Sequence, residues 1–427
     1  MAGPVLSSAD VVAGRIVAQQ LDRPVADRPL TDAAVLDLGV QDTGRDGASW
    51  ALVNRGIPVA RPEVLAESDD LALVWSLRAS PHFYRRAELA DVLVAVSPFS
   101  DADAGRRIIG ADQPLKEAGI GSREGLAEVA ARLREIVAAP MVKGEASTRV
   151  TAVLDAPYVR DCVPCGAVHV WEIPFRVGAF YGGLELDPGT SPPVLRPIPG
   201  WSRASVGPAP DPVSAPEHLQ VIRAYLRLLG PATPVDVAGF LDAALADVKA
   251  HWPADAVEVT VNGKRAWSLG EPSPPAVDAE LVRLLGPYDL LLQGRDRQVL
   301  VTDKAHHKAL WPTLGRPGAV LVGPQIVGLW RPKATGVKFR VRLTTWSPLS
   351  RAVRSRVEEQ AAALAQHRGL TFAGLINESV EPPRFLRNRS LSCRPLPELV
   401  EGRLCLSKGG CVRLPYLPVP AVMPATN

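Results

Sequence analysis

The sequence predicts an α+β fold assembled from several modest domains, on three observations. At 427 residues the chain exceeds what one compact core usually holds, since domains run to roughly 100–200 residues. Residues 218–267 read in turn as helix, tight turn, helix and hairpin, the order of a winged helix. The last third mixes a hairpin, a strand and a long helix, which points to another small α/β unit.

Taken in order, SSADVVAGRIVAQQL offers a Ser/Asp helix start with Val11, Val12, Ile16 and Val17 at helical spacing, so the first element is a helix. Thr31 opens TDAAVLDLG as an N-cap and Gly39 closes it, which predicts a short second helix. VQDTGRDG has loop composition, and the apolar stretch ASWALVNRG again ends in glycine. LALVWSLR predicts a strand, RRAELADVLVAV a helix, and SREGLAEVAARLREIVAA the clearest amphipathic helix of this half.

From Lys143 to Trp201 the β-prone pieces TRVTAVL, AVHVWEIPF and GAFYGGLEL, separated by Pro and Gly, predict a strand-bearing connector. Residues 188–218 are so rich in Pro and Ser that neither helix nor central strand is expected. HLQVIRAYLRLLG then places Leu219, Ile222, Leu226 and Leu229 on one helical face. Thr233 as N-cap, Pro234 at the first helical position and Asp236 in the first turn start the next helix. VEVTVNGKRAW alternates around Asn262-Gly263, a strong hairpin signal. AVLVGPQIVGLW is a hairpin around Gly323-Pro324, FRVRLTTW a strand, and SPLSRAVRSRVEEQAAALAQHRG a long helix ended by glycine. The expected units are 1–142, 143–285 and 286–380, with an irregular tail over 381–427.

Composition narrows the function classes. With 47% hydrophobic and 22% charged residues the chain is ordinary globular material, and no apolar run approaches the roughly 18–20 residues that span a bilayer. The opening MAGPVLSSAD has no basic segment followed by an apolar stretch, so a cytosolic protein is expected. Five cysteines, an odd number, supply no regular disulfide framework. Cys162-Val-Pro-Cys165 with His169 has the look of a metal knuckle, but no fourth ligand is obvious nearby; it is read as small buried thiols, with no metal or cofactor expected. No phosphate loop, dinucleotide-binding glycine pattern or nucleophile elbow occurs. A net charge of +3 is only mildly basic, yet the segment from Arg295 to Arg342 holds Arg297, Lys304, Lys308, Arg316, Arg331, Lys333, Lys338 and Arg340 against Asp296 and Asp303 alone. Such a segment is either a solvated surface or a face that tracks phosphates. Trp330 is expected in the core and Arg331 on the surface.

The pieces LDLGVQDTG, LVWSLRASPH, AYLRLLGPATPVDVAGFL, NGKRAW, LLGPYDLLLQGRDR and VGLWR fall in an order that resembles the AlkZ-like (YcaQ) family of DNA glycosylases, from the first helix to about Gly369. The resemblance implies three tandem winged-helix units in a C-shaped array with a DNA-sized channel, and a monomer that acts on double-stranded DNA in the cytoplasm, at the nucleoid. It implies hydrolysis of the N-glycosidic bond of alkylated purines, bulky or cross-linked adducts included. An alkylated purine carries positive charge and is already a good leaving group, so the protein has chiefly to place a water and stabilise an oxocarbenium-like sugar. The family does this with Gln, a spacer, then Gln or Asp, matched here by Gln41-Asp42-Thr43. Thr43 departs from that pattern, because a hydroxyl can bond a water but brings no charge. Asp42 is a carboxylate one position early; neighbouring side chains point about 100° apart on a helix and to opposite faces on a strand, so it substitutes only where the loop is locally irregular.

The family's second landmark, an Arg and a His at a strand end, is matched by Arg78 and His82. The resemblance makes Arg78 a phosphate holder and His82 a phosphate donor or pocket wall, with loop anchoring and helix capping as the structural alternatives. Tyr84, Arg85 and Arg86 extend that face toward a backbone or minor-groove contact. Arg295, Arg297, Lys304, His306, His307, Lys308 and Arg331 are the candidate phosphate contacts of the basic segment. The rival reading is a non-catalytic winged-helix protein, either a transcription regulator or a lesion-binding factor, consistent with Thr43 at the second motif position.

Overall fold

The computed structural model describes residues 3–163, 165–201, 206–272, 275–378, 403–406 and 410–413. After strand β1 (Val5–Leu6) comes the helix Ser8–Ala18, started by a capping box in which the Ser7 hydroxyl accepts from the Asp10 N–H and the Asp10 carboxylate accepts from the Ser7 N–H. The short helix expected at Thr31 is instead two 3₁₀ turns, Leu30–Asp32 and Ala34–Asp37, broken by extended Ala33. Tertiary bonding decides this. The Gln20 side chain accepts from Ala34 N–H at 2.9 Å and donates to Asp32 C=O at 3.1 Å, so it takes backbone groups that an α-helix would pair internally.

The chain continues through β2 (Val40–Gln41), the helix Gly47–Val53, β3 (Leu71–Trp75), β4 (Pro81–Arg85) and the helices Leu89–Val96 and Ser122–Ile136. Then come β5 (Met141–Val142), the helix Lys143–Thr151, the hairpin β6 (Val159–Cys162) and β7 (Ala167–Val170), the helix Glu172–Tyr181, β8 (Leu184–Leu186) and β9 (Val194–Pro197). Six of these strands form one sheet in the order β2-β4-β3-β8-β9-β5, so the sheet runs across the boundary expected at residue 142.

Two expectations for the connector are corrected. TRVT and GAFY lie in helices rather than strands, because Ala146 and Val150, like Phe175 and Ala179, bury side chains four residues apart on one helical face. Short apolar runs do not reveal which period they serve. The proline-rich run contains β9, second from the sheet edge. Pro193 precedes the strand and Pro197 ends it, and Pro193 serves as an acceptor for Lys143 N–H at 2.8 Å, so no ladder donor is missing in the middle.

The helices Val221–Leu229 and Pro234–Leu241 come next, as expected, the second with Thr233 as N-cap and Asp236 completing the capping box. β10 (Ala256–Val261) and β11 (Lys264–Leu269) turn through Asn262 and Gly263, both with positive φ (47° and 76°). Their third strand is β1, which lies parallel to β10, so the chain start belongs to this sheet and not to the six-stranded one. The last sheet, β12 (Val282–Leu285), β13 (Gly318–Val322), β14 (Gln325–Thr335), β15 (Lys338–Thr345) and β16 (Thr371–Asn377), is ordered sequentially and covered by the helix Arg351–His367. Trp330 is core, donating its indole N–H to Leu285 C=O, while Arg331 stays outside. Within the tail, Arg403–Leu406 and Gly410–Arg413 form an antiparallel pair; the irregular character expected for the rest of 381–427 falls outside the described residues. Among the described residues no helix is long and apolar enough to cross a membrane.

The three sheets are interlocked. Val12, Ile16 and Leu21 pack with Leu285, Leu291 and Leu310 of the last third, and Trp50 enters the core of the five-stranded sheet, donating to Leu284 C=O at 2.7 Å. Arg55 and Asp289, both fully buried, form a two-pronged ion pair at 2.8 and 2.9 Å. Arg55 donates further to Ala51 C=O and to the Gln19 amide oxygen, and Asp289 also accepts from Leu291 N–H. Removing one partner strands a buried charge, so Arg55→Ala is expected to cost about 3–5 kcal/mol in urea unfolding, and Arg55→Leu/Asp289→Leu distinctly less than Arg55→Ala. Equal losses in the single and double variants would refute the pairing as the source.

Candidate functional site

Gly39 positions the loop that carries the Gln41 triplet. It turns with φ +79°, and a Cβ there would lie 2.5 Å from the Tyr84 ring, so any side chain would push the chain off the buried tyrosine. β2 then pairs with β4 through Val40↔Phe83 and Gln41↔His82, and Asp42 N–H extends the ladder to Pro81 C=O at 2.9 Å. The chain is therefore extended at Gln41 and Asp42, and their side chains leave on opposite faces. Gln41, half-buried, presents its amide oxygen to Arg78. Asp42 lines a separate groove of about 470 Å³ with Asp46, Ser49, Glu63 and Asp187. Burial and the neighbouring Asp46 carboxylate push its pKa up to about 6. Thr43 sits against the start of the helix Gly47–Val53, where a Cβ on Gly47 would lie 2.4 Å from its hydroxyl oxygen. Asp42 thus does not stand in for Thr43 in space.

Arg78 is where the three sheets' segments converge. It and Ala79 both hold left-handed backbone (φ 56° and 52°), a conformation that costs a non-glycine residue about 1–3 kcal/mol and survives where packing over-determines it. The turn sends the guanidinium to Phe240 C=O at 2.9 Å, to the Gln41 amide oxygen at 3.5 Å and to the amide oxygen of Gln293, while it stacks over the Phe240 ring at 4.4 Å. Burial, with repulsion from Arg295 and Arg316 only partly offset by Asp242, pulls its pKa down to about 10. Arg297 is lowered as well, by burial and by the same Arg316 and Arg295. The four guanidiniums crowd one another around Asp242, which pairs with Arg295 at 3.7 Å, leaving the cations in excess, as an anion-accepting region requires. Beside it a groove of about 490 Å³ is lined by Lys264, Arg265, Arg295 and Arg297 together with the carboxylates Asp236 and Asp296.

The other expected residues separate into two groups. His82 is 2% exposed, its Nδ1 lies 2.9 Å from Ser80 C=O, and burial together with the Arg78 charge pulls its pKa down to about 3; it is a neutral interior group and no phosphate contact. Tyr84 is 1% exposed and its hydroxyl bonds Leu38 C=O and Ser76, which corrects its placement on an outer polar face. Arg85 is consumed by Asp37, Glu88 and the carbonyls of Thr31 and Ala33, and Arg86 by Glu185 and the carbonyls of Asp69 and Leu71. Both arginines anchor the sheet edge instead of facing a partner. His307 donates its Nε2–H to Val301 C=O (2.6 Å), and His306 stacks on Trp346 at 4.3 Å beside Asp303. Lys304, Lys308 and Arg295 are exposed, Arg297 lies over the Trp311 ring, and Arg331 bonds Gly315 C=O. Arg316 was expected only as a member of the basic segment, and Gln293, Phe240, Lys264 and Arg265 were not anticipated. Only the last two carried a local signal, two cations beside a hairpin turn.

A protein-family model described as DNA glycosylase AlkZ-like matches residues 35–367. The solved structure of the Streptomyces sahachiroi DNA glycosylase AlkZ aligns with a TM-score of 0.65 and 22% sequence identity, covering 88% of this chain and 100% of that one, a likeness of fold. No curated protein matches the chain.

The raised Asp42 pKa sets a pH dependence. The folded protein holds this proton up to about pH 6 and the unfolded chain releases it near 3.8, so the contribution to stability is present below about pH 4 and lost as pH rises to 6. Asp42→Asn should therefore gain about 1–3 kcal/mol over the parent at pH 7 but not at pH 4, read from urea unfolding at both values. An identical difference at the two pH values would show that Asp42 is not held in this environment.

Proposed function

Because the chain belongs to the AlkZ-like DNA glycosylase family, we propose that it removes alkylated purines, bulky adducts included, from double-stranded DNA by hydrolysing the N-glycosidic bond. Gln41 carries the chemistry: its amide orients the water that attacks the sugar carbon as the bond to the base breaks, and the neutral alkylpurine departs. Thr43 offers a hydroxyl beside that amide, and the Asp42 carboxylate adds negative field from the other face of β2 to the oxocarbenium-like sugar. The observation that carries this reading is the half-buried Gln41 amide, held at 3.5 Å by Arg78 at the margin of a crowded guanidinium cluster.

In this reading the helix–turn–helix–hairpin of residues 221–269 and the sheet units around it are winged helices enclosing a C-shaped channel, and the protein works as a monomer on the nucleoid. Arg295, Arg297, Lys304, Lys308 and Arg331, with Lys264 and Arg265, hold the phosphates. Arg78 keeps Gln41 in place and is the positioning residue behind it. Thr43 in the second motif position favours the second reading, a protein that binds lesions without releasing the base.

One experiment separates the two. Duplex DNA bearing N7-alkylguanine is incubated with excess protein and abasic sites are counted by alkaline cleavage. Base release is expected, with Gln41→Ala slower by roughly 10²-fold or more and Thr43→Ala less affected. Binding without release selects the non-catalytic protein, and failure to bind damaged duplex removes both. Lys264→Ala/Arg265→Ala should weaken binding and flatten its salt dependence by about two phosphate equivalents, measured by fluorescence anisotropy across a salt series.

A further inference from the structure

The hairpin β6–β7 is a two-stranded sheet of its own, paired from Val159↔Val170 to Cys162↔Ala167. A pair of strands this short is marginal in water unless something else holds it. Apolar burial holds only its base, where Val170 enters the core, while at the turn end Val163 and Val168 are 86% and 51% exposed. The turn doubles back on itself: Cys165 N–H and Gly166 N–H both donate to Cys162 C=O, at 3.0 and 2.9 Å, and Gly166 takes φ +61°. That geometry brings the two thiols together, and β7 returns His169 to them. The ligand atoms of Cys162, Cys165 and His169 all lie within 4.8 Å of one another. Neither cysteine is in a disulfide, and Cys165 is exposed. His169 Nδ1 lies 2.8 Å from Val170 C=O, which can only accept, so Nδ1 carries the proton and Nε2 keeps a free lone pair.

We propose that Cys162, Cys165 and His169 bind a zinc ion and that the metal staples this hairpin. Two thiolates and an imidazole are a donor set that suits Zn²⁺, and on binding the two thiol protons pass to solvent. Among the described residues no fourth protein ligand joins the cluster, so a water completes the tetrahedron. A fixed hairpin steadies the elements on either side of it. Val170 N–H donates to Thr151, and the next helix, Glu172–Tyr181, sends Arg176 to Ala79 C=O, the residue after Arg78. The sequence expectation of two buried thiols holds for Cys162 alone.

The test uses the full chain, free of any histidine tag and purified from zinc-supplemented medium. Metal is counted by plasma mass spectrometry, and the metal-free protein is titrated with Co²⁺ while thiolate-to-cobalt and tetrahedral d–d absorption are recorded. The expected result is one zinc per chain and a tetrahedral cobalt spectrum. Cys165→Ser, at an exposed position the fold tolerates, should lower the thiolate band by about half, and His169→Ala should shift the d–d bands. The triple variant Cys393→Ser/Cys405→Ser/Cys411→Ser should leave both signals unchanged. Substoichiometric zinc with no thiolate band, metal lost in the triple variant, or a Cys162–Cys165 disulfide in freshly isolated protein would each overturn the proposal.

Discussion

The fully buried Arg55–Asp289 pair is the constraint on which the rest of the molecule depends. It joins the helix Gly47–Val53, which comes after the Gln41 loop, to the segment that delivers Gln293, and Gln19 ties the end of the first helix to the same guanidinium. Two further arginines repeat the device. Arg15 reaches the carbonyls of Gly230 and Pro231 together with Asp296, and Arg78 reaches Phe240 and Gln293. A guanidinium suits this work because its five donors lie in a rigid plane and satisfy several carbonyls at once, where an apolar contact would leave those carbonyls unpaired. The relative placement of the sheets is therefore specified by directional bonds as well as by burial.

That architecture explains the electrostatics of the site. Among the described residues no carboxylate is bonded to Arg78; its partners are a carbonyl and two neutral amides, and Asp242 acts through space. Its charge thus remains available to the surroundings, where Arg295, Arg316 and Arg297 add to it. On the other face of β2, Asp42 lines a groove with Asp46, which is paired to Arg368, and Glu63, which is paired to Arg45. One two-residue strand separates that groove from the guanidinium cluster, and Gln41 stands on the Arg78 side. On the strand side, His82 and Tyr84 supply buried, neutral support, with Tyr84 packed against Gly39.

Much of the local structure was legible beforehand, for physical reasons that can be named. Thr233 and Asp236, Asn262 and Gly263, and the apolar face of 219–229 act within a few residues of themselves, so their signals are complete in the sequence. The failures have a common origin. The Gln20 amide breaks the expected helix at Ala33 from outside the segment, TRVT and GAFY took the helical period because of what they pack on, and β9 entered the sheet because its prolines fall at the strand ends. Each depends on a partner distant in sequence. The same holds for Arg85 and Arg86, whose charges looked free until Asp37, Glu88 and Glu185 arrived from elsewhere.

By itself the sequence determined the α+β character and the helix–turn–helix–hairpin unit, since periodicity, capping and turn chemistry are short-range effects, while Gln41 was singled out only by the resemblance to the AlkZ-like family. Only the tertiary structure decided that the chain start joins the second sheet, that Arg78 gathers Gln41, Phe240 and Gln293, and that Cys162, Cys165 and His169 meet. Long-range hydrogen bonds and charge fields arise from positions in space, and spacing along the chain does not encode them.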